Sequence, residues 1–418
     1  MTSPAHRAID AVWRIESARL IARLTRMVGD VGTAEDIAQD VLVTALEKWP
    51  QSGIPENPGA WLMTAASRRA IDFLRRGKRL DRKHDEIGYE LEELERTAPD
   101  LDTPLDDPVG DDLLRLMFIA CHPVLSTDAR VALTLRLLGA LTTEEIARAF
   151  LTPVPTLAQR IVRAKRTLAE ARVPFEVPRG PDLAARVDSV LEVIYLIFNE
   201  GYSATAGEDW VRPRLCDEAL RLGRIMAGLS PEESEVHGLV ALMELQASRL
   251  RARVNRDGEP VLLADQDRGR WDYVLVRRGL ASLDRAARPG TGLGRYGLQA
   301  AIAACHARAR TFEETDWTRI VALYDGLSQL MPSPVVELNR AVAHTMAFGP
   351  AAGLEILDAI RDDPALASYH LLPSVRGDFL ARLGRFAEAR VEFTRAAGMT
   401  ENARERDLLL KRARTNST

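Results

Sequence analysis

The stretch "AEDIAQDVLVTALEKWP", Ala34 to Pro50, decides how the rest of the chain is read. Set out on a helical wheel, Ile37, Ala38, Val41, Leu42, Ala45, Leu46 and Trp49 gather on one broad arc. Asp36, Gln39, Asp40, Thr44 and Glu47 gather on the other. This is an amphipathic helix, and the same periodicity recurs along nearly the whole chain with few β-branched runs, so an all-α protein is expected. The polar arc has two readings. It is either a solvated face or a docking surface for a basic partner helix, whose charges would set the orientation.

The following stretch, "NPGAWLMTAASRRAIDFLRR", opens with Asn57 as N-cap and Pro58 at the first helical position. Its apolar side is Leu62, Met63, Ala66, Ala70, Phe73 and Leu74, opposed by Arg68, Arg69, Asp72, Arg75 and Arg76. Trp61 is expected to project into the polar face. There it either stacks on single-stranded bases while the arginines hold phosphates, or caps the packed end of the helix. Further on, "LTTEEIARAF" (Leu141 to Phe150) begins with a capping-box pattern after Thr142 and presents Ile146, Ala147 and Phe150 for burial. A turn, "LTPVP", leads into "TLAQRIVRAKRTLAEA", which buries Leu157, Ile161, Ala164 and Leu168. Thr156, Gln159, Arg160, Arg163 and Arg166 are left outward. A helix-turn-helix with Gln and Arg early in its second helix suits base edges in a major groove, with the later arginines on phosphate. A basic helical hairpin with no DNA contact is the competing reading.

Length and composition bound the remainder. At 418 residues and 46% hydrophobic, the chain is long enough for two or three globular domains, and its net charge of −4 averages over very uneven segments. Cys121, Cys216 and Cys305 lie far apart, which suits neither a disulfide framework nor a zinc site and fits a reducing cytoplasm. The most apolar run, Val190 to Phe198, is too short to span a bilayer, so no membrane partner is expected. Motifs for catalysis are missing: "GTGLGRYG" (Gly290 to Gly297) follows no strand and lacks the Lys-Ser/Thr of a phosphate loop. The Cys121-His122 and Cys305-His306 pairs are too tightly spaced for ordinary ligation. Neither an enzyme, a metal nor a cofactor is indicated.

Two boundaries stand out. Carboxylates accumulate from Asp81 to Asp112 and outnumber Lys78, Arg79, Arg82, Lys83 and Arg96, while Pro99, Pro104 and Pro108 interrupt the segment. That composition predicts a solvated linker. "VPFEVPRGPD", Val173 to Asp182, predicts a hinge. Beyond it, Leu383, Gly384, Phe386, Ala389, Phe393 and Ala396 follow a tetratricopeptide-like spacing. Asn339, Ala341, Ala343, Gly349, Ala352 and Leu357 form a weaker copy. Two segments resist the repeat. "NEGYSATAGEDW" (Asn199 to Trp210) is glycine-rich and polar, and "DGEPVLLADQDRGRWD" (Asp257 to Asp272) places Asp265, Asp267, Arg268 and Arg270 beside a strand-like run. The second lacks the glycine and terminal glutamate of a calcium loop. Ionic networks tying helices together, or regulatory contacts through Asp265, Asp267 and Arg268, are the two readings left.

In this order and spacing, the three N-terminal stretches resemble RNA polymerase sigma factors of the extracytoplasmic-function type, with Ile9 to Arg76 similar to sigma region 2 and Asp112 to Val173 to region 4. Leu151 stands where that family often has glycine. The resemblance implies region 2 over 1–76, an acidic linker over 77–111 and region 4 over 112–173. A hinge over 174–182 and a helical, tetratricopeptide-like regulatory domain over 183–418 would follow. It further implies that Asp36, Gln39 and Asp40 dock on the β′ clamp helices of core RNA polymerase, with the β flap as a second contact. Trp61, Arg68, Arg69, Asp72, Arg75 and Arg76 would melt promoter DNA and read the minus-ten element as single strand. Thr156, Gln159, Arg160, Arg163 and Arg166 would read the minus-thirty-five duplex. The extension would contact the sigma domains and regulate them. Two other functions compete: a helix-turn-helix regulator acting without polymerase, and a repeat scaffold for protein contacts.

Overall fold

The structure, a computed structural model, describes residues 4–81, 108–150, 152–179, 181–204, 206–207, 210–256, 258–287 and 292–415. It is helical almost throughout. The described residues fall into two compact units, Met1–Val193 and Ile194–Thr418.

In the first unit, α1 (Pro4–Val28), α2 (Val31–Ser52) and α3 (Pro58–Asp81) pack on one another, and α4 (Pro108–Ala120) lies against α1. The turn from α1 to α2 is set by Gly29, at φ 74°, where a side chain would be strained, and by Asp30, whose carboxylate accepts the Thr33 N–H at 2.7 Å. Ile37, Ala38, Val41, Ala45 and Trp49 of α2 are buried, as the wheel requires, against Ile9, Leu20, Ile21 and Leu24 of α1 and Leu62, Ala66 and Ala70 of α3. Asn57 caps α3 through the Ala60 N–H at 3.0 Å. Phe73 departs from expectation: it is 48% exposed.

Three further helices complete the helix-turn-helix region: α5 (Thr127–Leu137), α6 (Thr143–Ala149) and α7 (Val154–Glu170). The capping box is formed, with Thr142 accepting from the Glu145 N–H and Glu145 accepting from the Thr142 N–H. α7 starts on a proline-rich turn and buries Leu157, Ile161, Ala164 and Leu168 against α5 and α6. Phe150 is only half-buried, and Leu151 lies outside the described residues. So does the centre of the acidic segment, 82–107, whose expected bounds are trimmed by α3 running to Asp81 and α4 beginning at Pro108.

The next helix, α8 (Pro181–Tyr202), begins inside the first unit. Arg186 donates to the Phe118 carbonyl at 2.7 Å, the Ser189 hydroxyl to the Cys121 carbonyl at 2.5 Å, and Arg130 to Glu192 at 3.0 Å. The compact division therefore falls at Val193, not in the proline-rich stretch before α8.

The second unit continues through α9 (Pro213–Leu229), α10 (Ser234–Ala247), α11 (Tyr273–Ala286), α12 (Arg295–Arg308) and α13 (Trp317–Leu330). It ends with α14 (Pro334–Phe348), α15 (Pro350–Ile360), α16 (Leu371–Arg382), α17 (Phe386–Met399) and α18 (Ala403–Thr415). Successive helices pack on one another, and α10 is buried nearly all round by α9, α11 and α12. Leu338, Ala341, Leu357, Phe379, Ala389, Phe393 and Ala396 share one core. Leu383 and Phe386, expected within the repeat, are 38% and 46% exposed. Among the described residues a short strand pair interrupts the helices: Ala206–Gly207 pairs in parallel with Glu401–Asn402, and the buried Asn402 amide donates to the Ala204 carbonyl at 3.1 Å. The strand-like run near Val261 forms only an isolated bridge, Val254 to Pro260, followed by two short 3-10 turns.

Candidate nucleic-acid and partner interface

The acidic face of α2 is present as a surface. Asp36 and Asp40 are exposed and Gln39 is half-buried between them. The helix spacing that buries Ala38 and Val41 necessarily turns these three outward together. Asp40 has a local task as well, since its backbone carbonyl accepts the Thr44 hydroxyl at 2.9 Å.

The residue next to them was not singled out in the sequence. Glu35 is 3% exposed and accepts from Arg136 Nε at 2.6 Å and from Lys165 Nζ at 3.0 Å. Lys165 also lies 3.8 Å from Asp36, which stays open to solvent. A carboxylate taken out of water is tolerated only when paired, and here two cations from α5 and α7 supply the pairing. α7 is thereby tied to the helix that carries the acidic face. The legible signal was position: Glu35 sits on the same line of α2 as Leu42, at the edge of the apolar arc.

On α3, Arg68, Asp72, Arg75 and Arg76 are exposed. Arg69 is not in that group. It is half-buried and donates to Thr44 Oγ1 at 2.6 Å, which ties α3 to α2. Trp61 is also placed differently from the expectation that it projects into the polar face. It is half-buried and meets Trp49 edge-on, with ring centroids 5.3 Å apart and an interplanar angle of 72°. Two indoles flanking the short α2–α3 connection gain more by covering each other than by standing in water.

On α7, Thr156, Gln159, Arg163 and Arg166 are exposed, and Arg160 is half-buried beside Asp128 at 3.3 Å. Arg166 pairs with Glu170 at 2.7 Å within the helix. A shallow groove of about 360 Å³ runs along this face between Thr156, Gln159, Arg160 and Arg163 and the start of α5 at Ser126 and Ala129. The face therefore offers one amide and several guanidinium groups in line along a helix that is otherwise anchored by its buried side.

In the second unit, Asp265 and Asp267 are exposed, and Asp267 accepts the Gly269 N–H at 2.9 Å. Neither pairs with Arg268, whose Nη1 donates to the carbonyls of His306 and Ala309 at 2.5 and 2.8 Å. The ionic network expected there is not formed by those three residues. Among the described residues no group of His, Cys, Asp and Glu is arranged to hold a metal ion, and no helix is long and apolar enough to cross a membrane.

Family models match three parts of the chain: Sigma-70 region 2 over 14–80, Sigma-70 region 4 over 115–168, and a family of unknown function, DUF6596, over 186–287. An uncharacterised protein of Rhizobium meliloti, R00370, is 42% identical over 387 residues, covering 91% of this chain and 89% of that one. The probable ECF RNA polymerase sigma factor SigI of Mycobacterium tuberculosis is 29% identical over 173 residues, which is 41% of this chain and 58% of SigI. A 148-residue stretch is 28% identical to the exopolysaccharide phosphotransferase CpsY of the same species, covering 24% of that protein, too little to carry an activity across. With helices of both sigma regions in place and a helical extension behind them, the chain belongs to the extracytoplasmic-function sigma factors that carry a long C-terminal extension.

Proposed function

We propose that this sigma factor binds core RNA polymerase through the acidic face of α2, with Asp36, Gln39 and Asp40 set against the β′ clamp helices and the helix-turn-helix region on the β flap. The observation that carries this reading is the exposed pair Asp36 and Asp40, held outward by an opposite face whose Ile37, Ala38, Val41, Ala45 and Trp49 are buried. A carboxylate pair of this kind on a rigid helix recognises a basic surface and supplies no chemistry. Within the holoenzyme, Arg68, Arg75 and Arg76, with Asp72 among them, line the path of the melted minus-ten strand. Arg69 and Trp61 act from behind, Arg69 by fixing α3 on α2 and Trp61 by setting the α2–α3 corner with Trp49. Thr156, Gln159, Arg160, Arg163 and Arg166 read the minus-thirty-five duplex, the early residues on base edges and the later ones on phosphate. The helical extension regulates these activities.

Run-off transcription with core enzyme tests the reading. Asp36→Arg with Asp40→Arg should remove co-purification with core polymerase and abolish transcripts while circular dichroism stays unchanged; retained association would refute the docking role. Operator binding by the protein without polymerase, at promoter affinity, would instead support a helix-turn-helix regulator.

A further inference from the structure

The second unit pairs its inward-facing arginines with carboxylates as a rule. Arg212 meets Glu200, Arg224 lies 2.9 Å from Glu244, and Arg340 lies 2.8 Å from Asp325. Three arginines break the rule. Arg249 lies against both Tyr202 and Trp271, Arg253 against Tyr202 and Arg268 against Trp271, and among the described residues no carboxylate comes within ion-pair distance of any of them. Glu313 and Glu314 influence Arg268 only at longer range.

The guanidinium planes are occupied by aromatic faces. Arg253 lies 3.8 Å from the Tyr202 ring centroid and 5.6 Å from that of Trp210, Arg249 lies 5.7 Å from the Trp271 ring, and Arg268 lies 4.7 Å from it. Stacking of this kind fixes a guanidinium without neutralising it and leaves its N–H edges to bond. Some edges are used: Arg249 donates to the Tyr202 hydroxyl and to Gln246 at 2.9 Å, and Arg268 to two carbonyls. Others are not. Arg253 Nε, Arg268 Nη2 and Trp271 Nε1 are buried with no hydrogen-bond partner among the described residues, and His306 Nδ1 nearby is in the same condition. The unmet groups on the arginines and the indole are all donors. A cluster of buried donors carrying three cations that no described carboxylate pairs is costly unless an acceptor of negative charge joins it.

We infer that Arg249, Arg253 and Arg268, with Trp271, form a binding site for a small phosphate-class dianion in the C-terminal extension. Three fixed guanidinium groups match a dianion better than a single carboxylate, and oxygens on a tetrahedral centre can be met from several directions at once. The fields in the cluster agree: Arg249 and Arg253 overcome the effect of burial to lower the Tyr202 pKa, while burial and Arg249 lower that of Arg253. Tyr202, Trp210, Arg249, Arg253, Arg268 and Trp271 all lie within the 186–287 segment that matches the family of unknown function. They also join the two segments, Asn199 to Trp210 and Asp257 to Asp272, that fit no repeat. The site stands independently of the polymerase and promoter contacts proposed above.

Titration calorimetry on the full chain at constant ionic strength tests this, with inorganic phosphate and pyrophosphate as probes and succinate as the carboxylate comparison. Saturable binding of phosphate or pyrophosphate is expected, tighter than succinate, and preference between the two distinguishes a free ion from a phosphorylated ligand. Arg249→Met and Arg268→Met should each weaken it by about tenfold or more, with Arg385→Met, on an exposed helix start, unchanged. If the methionine variants do not fold, the wild-type titrations with Arg249→Lys decide the matter. Absence of saturable phosphate or pyrophosphate binding at millimolar concentration, equal binding by succinate, or binding undiminished in folded variants would overturn the site.

Discussion

Glu35 is the residue on which the first unit turns. Asp36, one position later, stays exposed 3.8 Å from Lys165, while Glu35 is sealed under Arg136 and Lys165; a single step around α2 separates an exposed carboxylate from a buried, paired one. Glu35→Ala should leave two half-buried cations without an anion and cost on the order of 3 kcal/mol, read as lost amide-exchange protection in α7 and the adjoining part of α2. A protection pattern identical to wild type would show that the pair does not hold those helices. His306 offers a second test at this scale. Burial, with Arg249 and Arg268 adding to it, lowers its pKa from 6.5 to about 3, so the folded chain keeps it neutral where the unfolded chain takes up a proton. Its contribution is therefore intact above pH 6.5 and is lost as pH falls toward about 3. Across that window the linkage slope approaches about 1.4 kcal/mol per pH unit. His306→Gln should flatten the pH dependence of urea midpoints for the second unit between those limits. Residue burial was only partly legible beforehand: the wheel placed Asp36 and Asp40 correctly, but Trp61, Arg69 and Phe73 depended on which neighbours happened to cover them.

Elements were the most legible level, because capping and periodicity are local. The Thr142–Glu145 box and the buried set of α7 are present as the residue patterns imply, and the apolar arc of α2 is buried except at its half-buried Leu42 and Leu46. Contacts between elements were less visible. In the second unit, close approach depends on glycine: a Cβ at Gly353 would lie 1.9 Å from Thr345 Oγ1 and 2.6 Å from the Ala341 carbonyl, and one at Gly377 would lie 2.9 Å from the Phe393 ring. Gly353→Ala and Gly377→Ala should each destabilise that core by about 1–3 kcal/mol, measured by thermal melting of the full chain. The repeat spacing found Ala389, Phe393 and Ala396, which are buried, and also Leu383 and Phe386, which are not, since a spacing rule says where residues face and not what stands opposite them.

For the whole molecule, the boundary between units follows from bonds, and α8 is the instructive case. Its first half carries Arg186, Ser189 and Glu192 into the first unit, so a chain ending at Gly180 discards them while one ending at Tyr202 keeps them. The shorter chain should melt lower than the longer one in the first unit's transition; equal midpoints would show that α8 contributes nothing there. Comparing both with the full chain in run-off transcription would also show the sign of any regulation by the extension. Chemistry read along the chain was enough for the all-α class, the three N-terminal motifs and the sigma resemblance, since helix period, caps and charge placement each act over a few residues. Packing settled the rest: the cations that neutralise Glu35, the indole pair at the α2–α3 corner, the arginine cluster around Trp271 and the end of the first unit inside α8. Each of these joins residues separated by tens of positions, and only a folded chain brings them near enough for charge and burial to act.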